Sequence, residues 1–203
     1  MKKYLTKKIQ FDEFFANYIE EFSTQLRETS LSDLNEVIST IENCIDNDGS
    51  IYFCGNGGSA AIADHFVCDF MKGLGSDTGL SPRVHSLNSN MPIYSAIAND
   101  ISFHDVFSHQ IDKICRKGDL LITVSSSGNS ENIICAIKSA KKKGMKTISF
   151  SGFTGGRSVE SDLHVNVPAD NYGIIEDAHH FLLHIIVQYL RVKHTRNLNE
   201  LVL

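Results

Sequence analysis

Several classes of protein are excluded by what the chain lacks. Its 19 Lys and Arg are dispersed and outnumbered by 24 Asp and Glu, which excludes the basic surface of a nucleic-acid-binding protein. It has no apolar run near the roughly 20 residues of a membrane span, and no apolar secretory signal follows its N-terminus. Its five cysteines form no CxxC pair and no zinc spacing. We therefore expect a cytoplasmic protein with reduced thiols and no nucleic-acid or membrane partner.

The organisation of the chain predicts a single domain over 1–203. There is no internal repeat and no Pro/Gly/Ser-rich linker, and 42% of the residues are hydrophobic, enough for one core. Apolar residues at helical spacing predict an N-terminal helical segment over 1–48, with a second helix that begins at Ser30 or Ser32. The α/β core and a C-terminal helix then occupy 49–203.

Short β-rich runs alternate with helical patterns in the larger part of the chain. The predicted strands are 51–54, 83–87, 120–125, 146–151 and 163–167. The predicted helices are 58–71, 103–115, 130–143 and 174–192. This alternation predicts an α/β fold with a doubly wound, mostly parallel sheet flanked by helices, and N-terminal helices packing outside it. Ligands of such sheets bind beyond the carboxyl ends of the strands, so the segments after Cys54 and Ser125 are the candidate binding loops.

Two loops carry the composition of a phosphate site. The first, CGNGGSA from Cys54, leaves a strand and enters a helix, although a plain strand–helix turn would also explain its glycines. The second, SSSGNS from Ser125 to Ser130, brings four hydroxyls to a helix N-terminus, where an anion is bound without Lys or Arg. The GxxxxGK[ST] motif of P-loop proteins is absent, and no GxGxxG follows a strand.

These loops give the chain a resemblance to a known family. The segments that carry the resemblance are CGNGGSA followed by ADHF, then VSSSGNSENI, then GMKTISFSGFTGG. In these segments and their order, from about residue 10 to the C-terminus, the chain resembles the phosphoheptose isomerases of the sugar isomerase (SIS) superfamily. The resemblance implies a flavodoxin-like fold and a homotetramer with shared active sites. It implies phosphate contacts from Ser125, Ser126, Ser127 and Ser130. It implies further substrate contacts from Asn56, Gly57, Gly58, Ser59, Asp69, Asn99, Asp100 and Glu176.

Histidines and acids are concentrated on two predicted helices. His65 and Asp69 are four residues apart and share one helix face, which suits a metal site, proton transfer or a simple surface hydrogen bond. The last helix is denser still, with three histidines and two acids. Its members are Glu176, Asp177, His179, His180 and His184. The roles of His179 and His180 are left open.

The resemblance gives part of this group a chemistry. It implies Asp69 as catalytic base and His184 as acid, with the exchange of these two roles left open, and one Zn²⁺ per subunit held by His65, Asp69, Glu176 and His184. Asp69 and Glu176 stand where the family has Glu and Gln, which leaves metal and substrate choice open. Glu176 and His184 are also about 12 Å apart along a continuous helix. Either the helix begins after Glu176, or the two ligands come from different subunits.

The predicted activity is an aldose–ketose isomerisation. As the resemblance implies, sedoheptulose 7-phosphate is converted through an enediol to D-glycero-D-manno-heptose 7-phosphate, for bacterial heptose, lipopolysaccharide or capsule biosynthesis. Two alternatives stay open. One is a non-catalytic SIS protein that binds a phosphosugar or the replication initiator, and the other is an isomerase of a different phosphosugar.

Overall fold

The fold centres on one parallel sheet. A computed structural model describes residues 9–195 of the chain. The five strands lie in the order β2-β1-β3-β4-β5 and every pairing between them is parallel. They are β1 (Ser50–Gly55), β2 (Arg83–Ser86), β3 (Leu120–Ser125), β4 (Lys146–Gly152) and β5 (Leu163–Val167). The predicted doubly wound α/β fold is confirmed.

Helices connect the strands and cover both faces of the sheet. They are α1 (Phe11–Glu28), α2 (Leu31–Asp46), α3 (Gly58–Cys68), the single turn α4 (Gly75–Asp77), α5 (Met91–Asp100), α6 (Ser108–Ile114), α7 (Glu131–Lys142) and α8 (Tyr172–His194). A π-helical turn, Asp69–Leu74, joins α3 to α4. Short 3₁₀ turns occupy Phe103–Asp105 and Gly156–Glu160. Helix α5 was not predicted.

Alternate side chains of the central strands enter two separate apolar layers. Ile51 and Phe53 of β1 pack in the layer formed with α2, α3 and α8, whereas Tyr52 and Cys54 pack in the layer formed with α5, α6 and α7. Successive side chains of a strand point to opposite faces, so a strand that is covered on both sides is apolar throughout. This double burial explains the unbroken apolar run of β1 and fixes its register.

The two N-terminal helices pack outside the sheet, as predicted. Helix α2 buries Val37, Ile41 and Cys44 in the core. Helix α1 lies against α8, where the rings of Phe22 and Phe181 meet edge to face with centroids 5.9 Å apart. Among residues 9–195, no helix combines the length and apolar character needed to span a bilayer.

The strand order places a ligand crevice between β1 and β3. From β1 the chain moves outward to β2, then returns to the other side of β1 and continues outward through β3, β4 and β5. The loops that leave the carboxyl ends of β1 and β3 therefore diverge to opposite faces of the sheet. In open α/β sheets this divergence opens the ligand-binding crevice.

Candidate active site

A polar cleft of about 190 Å³ lies at this divergence, and we call it the phosphate cleft. It is lined by Asn56, Ser59, Ser125, Ser126, Ser127, Ser130, Tyr172 and Glu176. The structure thus brings together the two loops identified in the sequence, and it adds Tyr172 from the start of α8. Tyr172 had no motif of its own, because its place in the cleft depends on how α8 crosses the sheet.

The serine loop after β3 is shaped to leave hydroxyls available to a ligand. Gly128 has φ +64°, and a side chain there would overlap the carbonyl of Gly155. The Ser126 hydroxyl is buried and finds no hydrogen-bond partner within the described part of the chain. Ser130 occupies the N-cap of α7 with its side chain not engaged in capping. Serine hydroxyls that are not engaged by other groups of the described chain, and that lie beside a helix N-terminus, can donate hydrogen bonds to a phosphate.

The two loops are clasped together by a pair of amides. Asn56 donates to the side-chain oxygen of Asn132 at 2.9 Å, and Asn132 donates back to that of Asn56 at 2.9 Å. Asn132 lies on the first turn of α7 and is 1% exposed. Gly57, at φ +56°, forms the N-cap of α3 on the opposite side. The N-termini of α3 and α7 therefore flank the cleft from both loops, and their dipoles favour an anion.

Glu176 lines both the phosphate cleft and a second cleft of about 350 Å³. The second cleft is lined by Gly58, Ala61, Ile62, His65, Glu176, Asp177 and His180. A Cβ atom at Gly58 would lie only 2.5 Å from Oε2 of Glu176, which shows that the Glu176 carboxylate packs against the start of α3. Tyr18 of α1 donates to Oδ2 of Asp177 at 2.7 Å and holds that carboxylate at the edge of the cleft.

A cluster of imidazoles and one carboxylate lies beyond the second cleft. Nε2 of His65 and Nε2 of His184 are 2.9 Å apart, and Oδ2 of Asp69 lies 3.4 Å from the first and 3.2 Å from the second. His180 adds a third imidazole, and one ring nitrogen from each histidine lies within 4.8 Å of the others. Imidazole nitrogens and a carboxylate oxygen are the donors that Zn²⁺ prefers, so these residues fit the predicted ion.

The π-helical turn sets the position of Asp69. The turn begins at this residue, one turn after His65, and the carboxylate reaches both imidazoles although Asp is one methylene shorter than Glu. Such π turns occur often at functional sites. Burial lowers the pKa of His180, and the neighbouring imidazoles of His184 and His65 lower it further. A neutral imidazole is the form that binds a metal.

Other predicted residues lie apart from these clefts. Helix α8 begins at Tyr172 and runs unbroken past Glu176, so the alternative that it begins after Glu176 is wrong. Asn99 and Asp100 end α5, where Asn99 donates to Oδ1 of Asp100 at 2.7 Å, and neither lines the two clefts.

The residues whose roles were left open are now placed. His179 is buried, its Nε2 lies 3.0 Å from the carbonyl oxygen of Ser151, and burial lowers its pKa to about 4, so it belongs to the core. Cys54 of β1 is buried, and burial raises its pKa. Cys68, at the end of α3, is exposed.

Comparison with known proteins agrees with this architecture. The SIS domain family matches residues 14–152, which include the first four strands and both phosphate loops. The phosphoheptose isomerase of Desulfovibrio desulfuricans is 37% identical over 176 residues, 86% of this chain and 78% of the relative. That of Helicobacter pylori strain Shi470 is 35% identical over 191 residues, 92% of this chain and 96% of the relative. The chain therefore belongs to the SIS domain family, in its phosphoheptose isomerase branch.

A solved structure extends the comparison to three dimensions. The phosphoheptose isomerase GmhA of Neisseria gonorrhoeae superposes with a TM-score of 0.78 at 32% identity, over 87% of this chain and 95% of that chain. The similarity covers the sheet and its connections rather than a local motif. The resemblance identified in the sequence is confirmed.

Proposed function

We propose that the chain is an aldose–ketose isomerase that converts sedoheptulose 7-phosphate to D-glycero-D-manno-heptose 7-phosphate in bacterial heptose biosynthesis. The observation that supports this best is that Glu176 lines two adjacent clefts, one formed by the phosphate loops and one that reaches His65 and His180 of the imidazole cluster. A seven-carbon chain spans roughly 8–10 Å. On α8, His180 and His184 lie about 6 Å and 12 Å along the helix axis from Glu176, distances comparable to the length of the seven-carbon chain.

The phosphate end binds the part of the substrate that does not react. Ser125, Ser126, Ser127 and Ser130, with the N-termini of α3 and α7, hold the phosphate. Binding at this remote end fixes the reacting carbons against the acid–base groups, and it supplies binding energy that orients them. Glu176, which stands between the two ends, accepts hydrogen bonds from sugar hydroxyls.

The acid–base end carries out the proton transfers. Asp69 takes the proton from C1 of the ketose, the C1–H electron pair forms the C1–C2 double bond, and His184 protonates O2 to give the enediol. The C1 hydroxyl then loses its proton while C2 gains one, which yields the aldehyde. Oδ2 of Asp69 and Nε2 of His184 are 3.2 Å apart, so the proposed base and acid lie side by side at one end of the site.

A zinc ion belongs to this proposal, one for each subunit. His65, Asp69 and His184 would hold it, and the sequence adds Glu176 as a fourth ligand. When bound, Zn²⁺ polarises a carbonyl oxygen as a Lewis acid. The chain's own residues bind the phosphate, orient the sugar and move the protons.

The proposal includes a homotetramer in the cytoplasm. Exposed apolar side chains support the assembly, since α1 presents Phe11 and Phe15 and α8 presents Ile185 and Tyr189 to the outside. Exposed apolar surface of this kind marks protein–protein contacts. The described cysteines are all free thiols, as in a reducing compartment.

A coupled assay with sedoheptulose 7-phosphate, run with measured metal content, tests the proposed function. We expect turnover that disappears on chelation and returns with Zn²⁺. Zinc-bound protein that does not turn over this substrate, but isomerises another phosphosugar, would reassign the substrate. Protein with neither metal nor turnover that still binds a phosphosugar would support a non-catalytic binding protein.

A further inference from the structure

We propose that His180, rather than Glu176, completes the metal site of this chain, so that three imidazoles and the Asp69 carboxylate of a single chain hold the ion. The inference rests on the metal in the proposed function and changes which residues bind it. It also means that the ligand set needs no residue from another subunit.

The positions of the donor atoms support this set. In a tetrahedral zinc site with metal–ligand distances near 2.0–2.1 Å, neighbouring donors lie about 3.3 Å apart. The distances from Oδ2 of Asp69 to the Nε2 atoms of His65 and His184, 3.4 Å and 3.2 Å, already have this value. The three histidine nitrogens lie within 4.8 Å of one another, so small side-chain rotations bring His180 into range.

The surroundings of His180 point to a missing partner. Its Nε2 atom is buried and has no hydrogen-bond partner among residues 9–195. Leaving such a group unpaired costs about 1–3 kcal/mol, so an unpaired buried nitrogen requires an explanation. Its ring stacks on that of His184, with centroids 4.5 Å apart and planes 22° apart, and meets that of His65 edge-on at 4.6 Å. The packing holds the ring beside the other two ligands.

Glu176 is poorly placed for the same role. Its carboxylate lies against Gly58, at the start of α3, whereas His65 lies seven residues and about 10 Å further along that helix. It precedes His184 by eight residues on the continuous helix α8, a rise of about 12 Å. His180 is four residues from His184, so the two share one face of α8. One chain therefore presents His180 to the cluster and Glu176 to the phosphate end.

X-ray absorption spectroscopy of the zinc-loaded wild-type protein tests the proposal without a variant. The outer-shell scattering of imidazole rings gives the number of histidine ligands. Three imidazoles are expected, and two would overturn the proposal. Because the spectrum does not depend on turnover, inactive protein with three imidazoles would contradict the proposed function and leave this inference intact.

Zinc affinity of matched variants, measured by chelator competition, gives a second test. We expect His180→Phe, which keeps the size and stacking of the ring, to lower the affinity at least 100-fold. Glu176→Ala, which removes the carboxylate, should keep it within about 3-fold, as should the control His85→Phe on the exposed side of β2. Wild-type affinity in His180→Phe, or a loss in Glu176→Ala as large as that in His180→Phe, would overturn the proposal. Melting of the metal-free variants checks that each is folded.

Discussion

The amide clasp between the two phosphate loops gives a quantitative prediction for Asn132→Ala. The change removes both 2.9 Å bonds with Asn56 and leaves a partly buried amide without partners. Each hydrogen bond contributes about 1 kcal/mol net, and the unpaired amide adds to the cost, so we expect a loss of about 2–3 kcal/mol in the free energy of unfolding. For a chain of this length, the melting temperature falls by about 5–10 °C.

The same change should also lower kcat/KM for the phosphosugar, by about tenfold or more, because the clasp sets the separation of the two loops. Thr147→Val is the matched control. It also removes two side-chain hydrogen bonds, both with Asp162 and 2.8 and 2.9 Å long, but at the opposite end of the sheet. The control should lose similar stability and keep wild-type kcat/KM below its melting temperature. If Asn132→Ala keeps full activity, or if both variants lose it equally, the clasp does not organise the site.

Three further predictions concern the phosphate loop and the pH dependence of stability. Ser126→Ala should raise KM about 10- to 100-fold, the value of a hydrogen bond to a charged group, and an unchanged KM would remove Ser126 from the phosphate site. Gly128→Ala should destabilise the fold by about 2 kcal/mol or more, measured by urea unfolding, since its φ is +64° and the Gly155 carbonyl blocks a side chain. Burial raises the pKa of Asp162, but hydrogen bonds from Thr147 and the charge of Lys141 outweigh it and lower the pKa overall. The ionised Asp162 therefore stabilises the fold above the unfolded pKa near 3.9, and this contribution is lost as the pH falls through the lower folded value. The stability advantage of wild type over Asp162→Asn should shrink below about pH 4, and an advantage independent of pH would contradict this.

The sheet and the phosphate loops could be predicted because their signals are local. Double burial makes β1 and β3 continuous apolar runs, and each loop follows its strand directly in the sequence. Parallel strands align their carboxyl ends, so the convergence of the loops follows from the fold class. Helix α5, which was not predicted, nevertheless has a local signal, since Asn90 caps its first turn and Pro92 lies within that turn.

Features that depend on tertiary packing could not be predicted in the same way. Asn132 looked like an ordinary first-turn residue, because its partner Asn56 is 76 positions away. His179 and His180 are neighbours in sequence, yet the 100° step of the helix sends the first into the core and the second to the metal cluster. Which of the two faces inward depends on the packing of α8 against the sheet and α3.

The central claim is that a phosphate end and an acid–base end of one site act on the same sugar. Nuclear magnetic resonance of sedoheptulose 7-phosphate incubated with the zinc-loaded protein tests it most directly. The account predicts signals of an aldoheptose 7-phosphate, and none from the same sugar without its phosphate. Zinc-loaded protein that leaves the ketose unchanged, or that isomerises the unphosphorylated sugar equally well, would contradict it.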